Sequence, residues 1–213
     1  MNILKFESPV SQMLIRVADM IILNILYLLC SIPLFTIGAA QAGMFTAAKV
    51  MLDKEDDSSV YAAFFRGFKA GFGTITASWG LVTIVLAVII WFGVAAYMLG
   101  ASIIPLIIGA SVLFIFQTTL PAFHSRFGSN FKMLLRNTLF FMMAYPLQCI
   151  GMALLNLVPL GLFAIMDLYS FLGTTPILAL FYYSIAVTTS YMFLRKPFDN
   201  LIAEYDSTHG ENK

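Results

Sequence analysis

The chain has 213 residues, of which 60% are hydrophobic, 15% aromatic and only 11% charged. A soluble domain carries about 25% charged residues, so too few remain here to coat a water-facing surface of this size. Twelve basic against 11 acidic residues give a net charge of +1, with no excess to form a basic patch for nucleic acid. Composition therefore selects an all-α, polytopic transmembrane helix bundle, organised as one domain over 1–213.

Lys, Arg, Asp and Glu are absent from Met20 to Ala48, Ala70 to Ser125, Asn137 to Met166 and Leu168 to Leu194. About 20 apolar residues cross a bilayer core. The first stretch predicts a helix at about 11–31, ended by Ser31-Ile32-Pro33, because the residue before proline resists helix. A second helix follows at about 38–52, rich in Gly, Ala and Met and short for a crossing. Ala40-Gln41-Ala42 mimics a signal-peptide cleavage site, but Glu7, Asp19 and the interruption at Pro33 argue against one. Further helices are expected at about 60–99, 103–124, 130–157 and 170–200. Leu99-Gly100-Ala101-Ser102 with Pro105, and Pro159 with Gly161, mark turns between them.

Charge asymmetry favours six crossings over five. If 38–52 crosses, every Lys and Arg, from Lys5 and Arg16 to Arg195, Lys196 and Lys213, falls on one side. The opposite turns then hold a single charge, Asp167. With five crossings, Lys5 and Arg16 lie away from the other ten. The positive-inside bias places both termini in the cytoplasm. A short re-entrant segment at 38–52 gives the same charge pattern.

Few residues carry chemistry. The acidic cluster Asp53-Lys54-Glu55-Asp56-Asp57-Ser58-Ser59 reads as a solvated turn, with Asp57, Ser58 and Ser59 as helix N-caps. Tyr61, Phe64, Phe65, Phe68 and Phe72 then recur at helical spacing, a stripe suited to the lipid interface or to a partner's cytoplasmic domain. Phe127, Phe131, Leu134 and Leu135 form a weaker copy, and Phe68-Lys69 with Phe131-Lys132 hints at a repeat. Arg16 and Asp19 lie at i, i+3, and a hairpin about Leu34-Phe35 brings Lys49 level with Asp19, suggesting a structural ion pair. Asn24, Gln41, Gln117, Gln148 and Asn156 are intramembrane amides that either bond between helices or line a polar pathway.

His124 and His209 are the only histidines. Cys30 and Cys149 stand apart in apolar surroundings as small buried hydrophobes. With no metalloprotease, nucleophile-elbow or phosphate-loop motif, the chain is expected to be no enzyme and to hold no cofactor or metal.

Phe6-Glu7-Ser8-Pro9, Asp19 with Asn24, Ile32-Pro33 leading to Thr36-Ile37-Gly38-Ala39, and Phe64-Phe65 with Phe68-Lys69 resemble the YesL-type family of bacterial integral membrane proteins. The resemblance implies a bacterial plasma-membrane protein of unassigned activity, encoded beside carbohydrate-uptake ABC transporters and their regulators. The Glu-Ala-Ala loop of ABC permeases is absent, since the only Glu residues are Glu7, Glu55, Glu204 and Glu211. The expected function is a non-catalytic accessory protein in the lipid bilayer, docking on ABC transporter permease subunits or a membrane sensor kinase. The alternative is a small-solute carrier or channel, which requires a continuous polar path through the amides.

Overall fold

The computed structural model describes residues 9–53 and 59–209, so the acidic turn at 54–58 and the Phe6-Glu7-Ser8 motif lie outside it. All regular structure among the described residues is helical. The helices are α1 (Pro9–Ser31), α2 (Ile37–Asp53), α3 (Val60–Lys69), α4 (Phe72–Met98), α5 (Ile104–Phe127), α6 (Phe131–Ala144), α7 (Pro146–Ile165), α8 (Leu168–Ile177) and α9 (Tyr183–His209). A π-helical stretch, Leu178–Tyr182, joins α8 to α9 into one long bent rod.

Among the described residues, four segments are long and apolar enough to cross a membrane: Met13–Ser31, Phe72–Met98, Ile104–Phe127 and Leu172–Glu204. The α6–α7 pair makes a fifth only if its 105° bend is counted within one span. The chain is therefore a membrane protein with four or five candidate crossings among the described residues, and the expected count of six is not confirmed. One reason is length, because α2 has 17 residues, about 25 Å of helix, and shows small residues to its neighbours. The other is the bend at Tyr145, where the following Pro146 disfavours helix and splits the expected 130–157 segment.

The expected 60–99 helix is likewise two. Gly71 sits at φ 68°, a left-handed conformation that ends α3 and restarts the chain as α4. A Cβ at Gly71 would also come within 2.7 Å of the His124 ring, so glycine is required there twice over. At the opposite end of the bundle, Asp167 caps α8 by accepting from the Ser170 backbone N–H at 3.1 Å. Hydrogen bonds from Ser170 hold this exposed carboxylate below its usual range.

Packing is uneven along the bundle. At one end α2, α3, the second half of α5, α6 and α9 enclose Phe64, Leu120, Leu134, Leu194 and Phe198, each essentially inaccessible. Rings of Phe123, Phe127, Phe141 and Phe198 interlock there at 4.7–6.5 Å between centroids. The far halves of α4 and α5 are instead apolar and bare, with Trp91 76%, Met98 80% and Ile108 60% exposed. Such a surface is tolerable only under lipid.

The closest helix contact is between α2 and α3. Ala39, Gly43 and Ala47 recur every fourth residue on α2, opposite Ala63 and Gly67 on α3. A Cβ at Gly43 would lie 2.8 Å from the Phe64 carbonyl oxygen, and one at Gly67 would lie 3.0 Å from Gly43 Cα. Small residues let the two backbones meet, which is how apolar helices associate without a hydrophobic driving force between them.

Candidate functional site

The aromatic stripe does not form one outward surface. Phe64 is fully buried, Phe68 and Phe72 are half-buried, and only Tyr61 and Phe65 stand out, 58% and 39% exposed. Phe64 stacks on Phe68 at 6.2 Å and Phe68 meets Phe72 at 5.3 Å, so the stripe lines the inside of the bundle. Its supposed copy differs again. Phe68-Lys69 closes α3 whereas Phe131-Lys132 opens α6, so the two pairs occupy different places and mark no repeat.

The amides serve separate contacts. Asn24, fully buried on α1, donates to Leu180 O at 2.6 Å and to Ser184 Oγ at 3.1 Å. Its own oxygen accepts from the Ser184 N–H at 2.9 Å, so one side chain bonds the π-helical stretch and the first turn of α9. Gln117 on α5 donates to Thr83 on α4 at 2.9 Å. Gln41 on α2 lines the same small void as Tyr27 on α1, and Asn156 donates to Met152 O on its own helix. Gln148 is half-buried near the start of α7. Gln41 and Asn156 both border that void, and at about 10 Å³ it has room for roughly one water.

Arg16 is exposed on α1, while Asp19 and Lys49 are half-buried on the packed helices α1 and α2. Among the described residues, no ion pair joins Asp19 to Lys49 or Arg16, so the expected pair is not formed. Asp19→Ala should therefore cost at most about 1 kcal/mol in detergent thermal melts, as for a weakly coupled charge. A loss of about 3 kcal/mol or more would show that Asp19 is held by a partner after all.

Sequence reasoning placed Asp53, one turn beyond Lys49, in a solvated turn, but its side chain is only 6% exposed. Its carboxylate accepts from the Tyr191 hydroxyl at 2.7 Å and lies 3.2 Å from the Arg195 guanidinium, joining the end of α2 to α9. The Arg195 contact is an ion pair whose angle is too poor for a hydrogen bond. Tyr191 and Arg195 are spaced i, i+4 on one helix face, a signal the sequence did hold. Arg126 similarly meets Asp199 at 3.2 Å, tying α5 to α9.

Beside these ties opens a recess of about 570 Å³, bordered by Arg66, His124, Ser125, Ser129 and Asn130. His124 Nε2 lies 2.9 Å from Ala70 O, which can only accept, so the proton is on Nε2. Gly71 and Gly128 place the chain ends of α3 and α5 at its rim. Arg66 is on its rim, and the exposed Lys69 and Lys132 are chain neighbours of its lining residues Ala70 and Met133, so this end of the bundle is cationic. No group of three His, Cys, Asp or Glu that could hold a metal occurs among the described residues.

Fold and polar groups together define a polytopic helical membrane protein, packed and cationic at one end and apolar at the other. A family model described as "Protein of unknown function, DUF624" matches residues 20–91. The chain is similar to that family over the second half of α1, all of α2 and α3, and most of α4. No curated protein and no solved structure matches it.

Proposed function

We propose that the chain is a non-catalytic accessory protein of the bacterial plasma membrane, with both termini and the cationic recess facing the cytoplasm. In this reading it serves a carbohydrate-uptake ABC transporter or sensing system, binding permease subunits or a membrane sensor kinase. The supporting observation is how the polar groups are divided. Inside the bundle, Asn24 and Gln117 are bound to neighbouring helices. At the cationic end, an open polar recess of about 570 Å³ is bordered by side chains from α2 to α6. A helper that binds a partner needs such an outward recess and no route through the membrane. The resemblance of Asp19, Asn24, Ile32-Pro33 and Phe68-Lys69 to the YesL-type family supplies the kind of partner.

Mild solubilisation of native membranes followed by affinity recovery of the tagged chain tests the reading. Enrichment of a permease or sensor-kinase subunit, lost when Arg66 and Lys69 are changed to Glu, is expected. Recovery of the chain alone would refute it.

A further inference from the structure

We propose that the α1–α2 hairpin is re-entrant: it enters from the cationic end, and its tip at residues 32–35 stops among the lipid acyl chains. The inference does not depend on the partner reading above. It follows from helix register. Gly38, the second residue of α2, lies so close to Trp79 of α4 that a Cβ there would sit 2.6 Å from Trp79 Cβ. From Trp79, α4 continues 19 residues to Met98, about 28 Å at 1.5 Å per residue. The tip begins only six residues before Gly38, and Leu34–Thr36 is a tight 3-10 turn. At about 2 Å per residue the hairpin reaches roughly 12 Å past Gly38, well short of Met98.

What surrounds the tip follows from the helices that outrun it. Beyond Trp79, α4 and α5 continue as an antiparallel pair, close enough that a Cβ at Gly93 would meet Leu106. Their outer faces carry Ile90, Trp91, Phe92, Ile107 and Ile108, all between 44% and 76% exposed. Only acyl chains suit that surface, and the tip lies within its depth. The tip matches: Ile32, Leu34 and Phe35 are 73%, 76% and 63% exposed, and none is polar.

A turn in hydrocarbon is held by bonds within its own backbone, and this one makes several of them. Pro33 has no N–H to satisfy. The Ile32 N–H donates to Leu29 O, Thr36 N–H to Pro33 O and Ile37 N–H to Leu34 O. The buried Thr36 hydroxyl lies 2.5 Å from Cys30 O and 2.6 Å from Pro33 O, covering carbonyls at the end of α1 and in the turn. A turn in water would need no such cover. A re-entrant hairpin leaves α4, α5, the bent α6–α7 pair and the α8–α9 rod as the crossings, and keeps Arg16 on the same side as Arg66, Lys69, Arg126, Lys132, Arg136 and Arg195.

Depth measurement on a nitroxide decides it. The label is placed at Leu34→Cys, in a Cys30→Ala, Cys149→Ala background, reconstituted in phosphatidylcholine–phosphatidylglycerol vesicles. Collision with oxygen and with a water-soluble nickel chelate is compared with labels at Val88→Cys in α4 and Ser102→Cys in the α4–α5 turn. The Leu34 label should match Val88, open to oxygen and at least five-fold less open to nickel than Ser102. Nickel access equal to Ser102 would mean that the tip crosses into water and overturn the proposal. Exclusion of both reagents would overturn it too, by showing protein over the tip. Phe35→Cys, also exposed, gives the same reading if Leu34→Cys folds poorly.

Discussion

Replacing Gly43 with alanine should destabilise the protein by about 2–3 kcal/mol, because the new methyl has nowhere to go. It would lie 2.8 Å from the Phe64 carbonyl and 3.1 Å from the Phe64 ring, and backbone cannot swing aside as a flexible side chain can. At this chain length the loss corresponds to a fall of about 4–12 °C in Tm in detergent. Gly73→Ala is the matched control, since a Cβ there meets nothing within 4 Å. That change should leave Tm level or slightly raised, as glycine loses the most backbone freedom on folding. Equal melting of Gly43→Ala and the parent would show that α2 and α3 are not in backbone contact.

Asn24→Leu should cost a similar amount, about 2–3 kcal/mol, for a different reason. Leucine fills much of the same volume but leaves Leu180 O and the Ser184 N–H without their partner beside the π-helical stretch. Each buried group left unsatisfied costs about 1–3 kcal/mol, though intramembrane pairs fall at the low end. Asn24→Asp keeps the acceptor for Ser184 but loses both donated bonds, so it should not rescue. Adding Ser184→Ala to Asn24→Leu should cost little more, because the two side chains share one contact. Thermal melts of the three variants check the order. Asn24→Leu melting with the parent would break this account of how α1 is held.

The sequence makes some of this legible for physical reasons and hides the rest. Helices at 11–31, 38–52 and 103–124 coincide closely with α1, α2 and α5, because charge-free length and Pro33 and Gly100 punctuation are local properties. Tyr145-Pro146 and Ala70-Gly71 carried equally local breaks, but hydropathy runs on across the first and the i, i+4 aromatic spacing of Phe68 and Phe72 across the second, and these outweighed the proline and glycine. The Tyr61–Phe72 stripe misled because an apolar face at helical spacing looks alike whether it meets lipid or protein. The deciding signal lay in the small residues instead. Ala39, Gly43 and Ala47 facing Ala63 and Gly67 predict a close helix pair, and that pair draws Phe64 inward. Asn24 was singled out as an amide suited to bonding between helices, yet Ser184 and Leu180 lie about 160 residues away, beyond any spacing rule.

The account rests on the cationic recess facing the cytoplasm, because a partner's cytoplasmic domain can reach it only from there. Thiol labelling on intact cells tests this directly. Single cysteines replace Ser129 at the recess and Ser102 in the opposite turn, with Cys30 and Cys149 changed to Ala. A membrane-impermeant reagent should modify Ser102→Cys before lysis and Ser129→Cys only after permeabilisation. Labelling of Ser129→Cys on intact cells would contradict the account.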